Sequence, residues 1–163
     1  MYASTWAGLA DPTAKEALAA SITEAADTSA SADQVLDTAL PDAGAKPTIF
    51  WELFGASEGL RLDIQDLEDL DTELSEESPA LAEAETLVTD AGLAFLGSAA
   101  TAAASFAAAP VSAQNDDVIA LRDAASTAAG ASALDDSAVS TFVALQDAAA
   151  QVVASENAEL SEK

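Results

Sequence analysis

The spacing of its apolar residues limits most what this chain can fold into. Leu60, Ile64, Leu67, Leu70 and Leu74 recur at intervals of four and three, and Asp63, Asp66, Glu68, Asp69, Asp71 and Glu73 fill positions between them. That period lays side chains along one face of an α-helix, whereas a half-buried strand needs alternation at every second residue. Such alternation is nearly absent from the 163 residues. The chain is therefore expected to be all-α, with 60–74 forming one amphipathic helix of about four turns.

Start and stop signals divide the rest. Asp11-Pro12 reads as an N-cap followed by proline at the first helical position. Leu18, Ile22 and Ala25 would share a face of the helix it opens, which is expected to end near Thr28-Ser29. Ser31-Ala32-Asp33-Gln34 fits a capping box, so a short helix with Val35, Leu36 and Leu40 is expected before Pro41. Residues 41–47, PDAGAKP, form a turn-rich connector that divides a helical N-terminal arm (1–47) from the remainder (48–163). The segment 48–54 fits a short helix capped by Thr48 or an extended piece equally well.

Ser78-Pro79 again pairs a cap with a first-turn proline. The helix it opens is expected to run to about Ala109, with Leu81, Ala84, Val88, Ala91, Phe95, Ala99, Ala102 and Phe106 inward. Asn115 is expected to cap a helix that buries Val118, Leu121 and Ala125 and stops at Gly130. A last helix, Ser137 to Glu156, would use Val139, Phe142, Ala149 and Val153. Short connectors favour antiparallel neighbours, so 60–157 reads as a bundle of about four antiparallel helices behind the arm.

Half of the residues are apolar, but many are alanine, which buries little area per residue, so the core is expected to be thin. Charge is lopsided: 29 acids against 5 bases, net −24. Repulsion on that scale opposes a compact state in dilute buffer, and salt screens it over about 8–10 Å near physiological strength. Adaptation to molar salt is the preferred explanation, because the acids run along the whole chain. A specific basic partner is the competing one, and 63–77 is the only concentrated acidic face available to it. Nucleic acid is not expected as a partner: Lys15, Lys46, Arg61, Arg122 and Lys163 are far apart, and phosphate binding needs clustered bases.

Cysteine and histidine are both absent, which excludes disulfides, thiolate or imidazole metal sites and histidine-based triads. Seven scattered glycines make no phosphate loop, and no base stands ready to activate the many hydroxyls. Asp69, Asp71 and Glu73 begin like a calcium loop, but Leu74 and Ala80 occupy the positions that need Gly and Glu. Asp63, Asp66, Asp69 and Glu73 are therefore read as a solvated acidic face, compatible with loosely bound cations. Asp116-Asp117 and Asp135-Asp136 fall at helix starts, where the terminal dipole favours negative charge. No catalytic residue, cofactor or metal is expected.

Two stretches remain. Residues 91–115 carry no charge and are long enough to span a bilayer, but they are chiefly Ala, Ser, Thr and Gly, so a buried helix is preferred to a lipid-facing one. Five of the eight aromatic residues precede residue 60: Tyr2, Trp6, Phe50, Trp51 and Phe54. They either anchor the arm on the bundle or dock on another subunit, since such rings concentrate at interface centres. No basic segment followed by an apolar core opens the chain, so a cytoplasmic or virion setting in high salt is expected. The leading expectation is a non-catalytic structural or connecting subunit of an assembly, such as a virion neck, adaptor or capsid-associated protein, partnered by its own copies or by other subunits. The alternatives are a lipid-associated helical protein using 91–111 and an acidic module or inhibitor for a basic protein.

Overall fold

The computed structural model describes residues 11–38, 50–109 and 113–162, with 50–57 described by backbone alone. Four helices make up nearly all of it: α1 (Pro12–Leu36), α2 (Phe50–Ala108), α3 (Asn115–Ala129) and α4 (Asp136–Ser161). There is no strand among the described residues, and the protein is an all-α helical bundle.

α1 begins where the sequence places it. The Thr13 amide donates to Asp11 Oδ1 at 2.9 Å, and Pro12 takes the first helical position. It does not end near Ser29, and Ser31 does not cap a second helix: α1 is continuous through 25 residues. Neither glycine nor proline interrupts 13–36, and extending an existing helix avoids the cost of a new nucleus. Its inward positions are Ala14, Leu18, Ser21, Ala25, Thr28, Ala32 and Val35, alternating by four and three. Ile22, expected on that face, is 51% exposed.

α2 corrects the sequence expectation most. The segment beginning at Phe50 is helical, and the helix passes through Pro79 instead of restarting there, so one 59-residue helix replaces three expected pieces. Proline removes one backbone hydrogen bond and costs about 3 kcal/mol in a helix interior. Good helix formers on both sides hold the ends of α2 in place across that loss. Side-chain hydroxyls help explain why serines and threonines fail as punctuation here. Thr72 Oγ donates to the Glu68 carbonyl at 2.9 Å, Ser75 to Asp71 at 2.8 Å, and Thr28, Thr101 and Thr127 bond four residues back in the same way. A hydroxyl satisfied within its own helix has no need to terminate it.

α3 starts one residue earlier than a cap at Asn115 would imply. Gln114 is the N-cap and makes no side-chain cap; instead its amide donates to Ser155 Oγ of α4 at 2.8 Å. Gly130 ends α3 as expected, with an ordinary right-handed backbone, its amide shared between the Ser126 and Thr127 carbonyls. Asp135 caps α4 by accepting from the Ser137 and Ala138 amides at 2.9 and 3.0 Å. Because the start of α3 meets the far end of α4, these two helices are antiparallel.

The chain divides into two compact units, Met1–Ile22 with Thr86–Lys163, and Thr23–Glu85. The first holds the main core. Leu96, Ala99, Ala100, Ala103 and Ala107 of α2 meet Val118, Leu121, Ala125 and Ala128 of α3 and Ala138, Leu145, Ala149 and Val152 of α4. Eight of those thirteen are alanine, so Leu121, Leu145 and Val152, the largest fully buried side chains, carry much of the burial. Each is worth about 1.5–3 kcal/mol. Val139, expected inward, is 61% exposed; the buried line of α4 is 138, 142, 145, 149, 152 and 156, the four-and-three spacing of coiled-coil seams. Phe95 and Phe142 flank the core with ring centroids 5.3 Å apart, and the Asp11 amide reaches Ser98 Oγ at 3.3 Å.

The second unit pairs the later half of α1 with the earlier part of α2. Its seam is narrow. Ala25, Thr28 and Val35 of α1 and Gly59, Asp63, Leu70, Glu77 and Ala80 of α2 are half-buried, Ala32 and Ala84 are buried, and the residues between them face solvent.

Candidate interaction surfaces

The aromatic group falls partly beyond what is described. Tyr2 and Trp6 lie outside the described residues. Phe50, Trp51 and Phe54 belong to the first turns of α2, where positions 50 and 54 share a face and 51 lies beside it. Thr48, Ile49 and the connector 41–47 lie outside the described residues.

The acidic face is built by α2 in the second unit. Asp66, Asp69 and Glu73 are exposed, and Asp63 is half-buried on the seam beside them. No calcium-type loop exists there, because the helix runs unbroken through these residues. The one base between residues 58 and 85 is already engaged: Arg61 Nη2 stands 2.7 Å from Glu58 Oε1, with a second bond from Nε to Oε2 at 3.1 Å. The guanidinium lowers the Glu58 carboxyl from its ordinary value, and the carboxylate raises Arg61 in turn. Both groups are fully exposed, so water and salt screen the pair heavily.

Beside the acids lies a stripe that sequence reasoning assigned to the core. Leu60, Ile64, Leu67, Leu74 and Leu81 share one side of α2, and every one is exposed, from 61% at Leu60 to 38% at Leu74. The spacing was legible, but that no helix among the described residues covers it was not.

The uncharged stretch behaves differently. From residue 91 to the end of α2 the buried positions are Gly92, Leu96, Ala99, Ala100, Ala103 and Ala107, so the inward face is turned by about one residue from the Phe95–Ala102–Phe106 line. Outward it presents Ala94, Thr101, Ala104, Ser105 and Ala108. The segment Glu58–Ala108 is long and apolar enough to cross a membrane, with a mean hydropathy of 1.5 in its most apolar window. Its one buried leucine, however, points into the protein core. Between α2 and α3, Ala100, Thr101, Ala104, Ser105 and Ala108, with Ala125, Ser126 and Ala129, line an open groove with Arg122 at its side. Arg122 donates from Nη2 to the Ala107 carbonyl at 2.9 Å, placing a cation on the negative end of α2.

Ser31, Gln34 and Val35 of α1 and Thr38 just past its end, with Glu73, Glu76 and Glu77 of α2, line an open polar hollow in the second unit. No group of three or more Asp or Glu side chains among the described residues is placed to hold a metal ion. In the first unit Glu156 occupies the last position of the α4 seam; it is 6% exposed, and its Oε2 has no hydrogen-bond partner. Sequence reasoning passed over it, although the series 138, 142, 145, 149, 152 reaches 156 by the same spacing. Asp116 and Asp117 stand in the first turn of α3, and Asp135 and Asp136 open α4, as the dipole argument requires. No family model, curated protein or solved structure matches this chain.

Proposed function

We propose that this chain is a non-catalytic structural or connecting subunit of a larger assembly, adapted to high salt. One observation carries the proposal. Fourteen large apolar residues are exposed among the described residues, on all four helices and the α3–α4 connector, whereas only five core positions hold anything larger than alanine. A thin alanine core with leucines left outside is a unit whose apolar surface is completed by other chains. Protein partners are favoured over lipid because the uncharged stretch of α2 turns Leu96 inward and small residues and hydroxyls outward. A virion component such as a neck or adaptor is one setting that needs such a unit and requires no chemistry from it. The aromatic residues Tyr2, Trp6, Phe50, Trp51 and Phe54 are proposed contacts with further copies.

Mass in solution by light scattering, stepped from about 0.1 M to several molar salt with circular dichroism alongside, tests this. Defined oligomers whose helicity grows with salt are expected. A compact monomer, equally helical throughout, would sink both the salt adaptation and the self-assembly.

A further inference from the structure

We propose that the Leu60–Ile64–Leu67–Leu74–Leu81 stripe of α2 is the docking face for an amphipathic helix of another protein, one with lysines and arginines along the edges of its apolar seam. The inference rests on the assembly reading and names the partner chemistry of one of its surfaces.

The stripe extends over about 30 Å of helix, with Asp71 and Ser78 following Ile64 at seven-residue intervals along one edge, and its apolar side chains stand 38–61% exposed. Charge and apolar exposure coincide on this segment. Between residues 58 and 85 there are eleven acids and a single base, while 91–115 carries no charge at all. Glu68 and Asp71 lie along one edge of the stripe, Asp66 and Glu73 beyond the other, and all four face solvent. The lone base, Arg61, spends its charge on Glu58 at 2.7 Å.

A helix laid on the stripe therefore meets carboxylates that nothing in this segment neutralises. A second copy of the same segment would bring as many acids as it met, and like charges set against each other across an interface oppose pairing. A partner with leucines for the stripe and cations for its edges satisfies both features together, in the manner of a helix seated on an apolar face and read at four- and three-residue intervals.

The test uses this 163-residue chain at the lowest salt concentration at which circular dichroism shows it folded, because added salt screens the charge preference being measured. Three synthetic helical peptides of about 20 residues share one leucine seam and differ only in their flanks: lysine, glutamine or glutamate. The lysine peptide is expected to bind at least about tenfold more tightly than the glutamine peptide, and the glutamate peptide weakest. Leu67→Ser with Leu74→Ser should weaken the lysine peptide by about tenfold or more, because apolar contact is lost while charge is kept. Asp66→Asn with Asp71→Asn should instead shrink the preference for lysine over glutamine. All four positions are exposed, and unchanged helicity verifies the fold of each variant.

Equal binding of lysine and glutamine peptides would overturn the basic-partner assignment. Unchanged binding to the leucine variants would show unspecific attraction to an acidic protein and overturn it equally. Light scattering on the same samples separates the two levels. A chain that assembles but ignores every peptide loses this inference and keeps the assembly reading, and one whose self-association disappears in the leucine variants has a second copy on the stripe.

Discussion

Glu156 is the residue whose environment is least like its chemistry. A carboxylate at 6% exposure with one oxygen lacking a hydrogen-bond partner carries an unreturned desolvation cost. Its neighbours along the α4 seam, Ala149 and Val152, are fully buried, so the position itself calls for an apolar side chain. Glu156→Met, close in volume, is expected to raise stability by about 1–3 kcal/mol. Thermal unfolding at fixed salt measures it, and a lower melting temperature would mean that the carboxylate makes a contact worth more than its burial costs. Asp135 shows the opposite match, since the same kind of side chain accepts two amides at the start of α4 and offsets its own solvation loss.

At the scale of elements, the continuity of α2 is the feature that sets which faces are available. Pro79 leaves the Ser75 carbonyl without its helical donor, yet the helix continues on both sides. Pro79→Ala restores that bond, and a gain of about 1–3 kcal/mol is expected, read as a higher unfolding temperature together with increased helicity. No change would indicate that the backbone at 75–79 already finds another donor. The same element explains why helix ends were misplaced. Asp11-Pro12 and Asp135 cap because their carboxylates accept amides that no preceding turn can use. Ser31 and Ser78 have the composition of caps but sit where a helix already runs, and their sequence neighbourhoods do not distinguish the two cases.

For the whole molecule, a net charge of −24 has to be held by a core in which eight of thirteen residues are alanine. The balance leaves little margin in dilute buffer, and screening by salt shifts it toward the folded state. Leu145→Ala removes one of three large fully buried side chains from surroundings of alanine that cannot close over the gap, at about 2–5 kcal/mol. The salt concentration at which half the helicity is reached should therefore rise clearly in Leu145→Ala. It should stay nearly unchanged in Leu67→Ala, whose side chain is already 44% exposed. Equal shifts in the two variants would mean that Leu67 is covered in solution, as it would be inside a stable oligomer.

The all-α class follows from the sequence by itself, because four-and-three spacing and the near absence of alternation leave no strand to build. So do the Asp11 cap and the buried face of α3, where Val118, Leu121 and Ala125 recur at intervals of three and four. The exclusion of cysteine and histidine chemistry needs only the residue count. Tertiary structure decided the rest. Alanine and serine differ too little in transfer energy from their neighbours to say which of them will be covered, so Ser21 could replace Ile22 and position 138 could replace Val139 in the seams. Periodicity marked Leu60 to Leu74 as a face that wants a partner. Among the described residues of the Thr23–Glu85 unit, burial on α2 follows the narrow 63–70–77–84 line, and Leu60, Ile64, Leu67 and Leu74 beside it stay exposed.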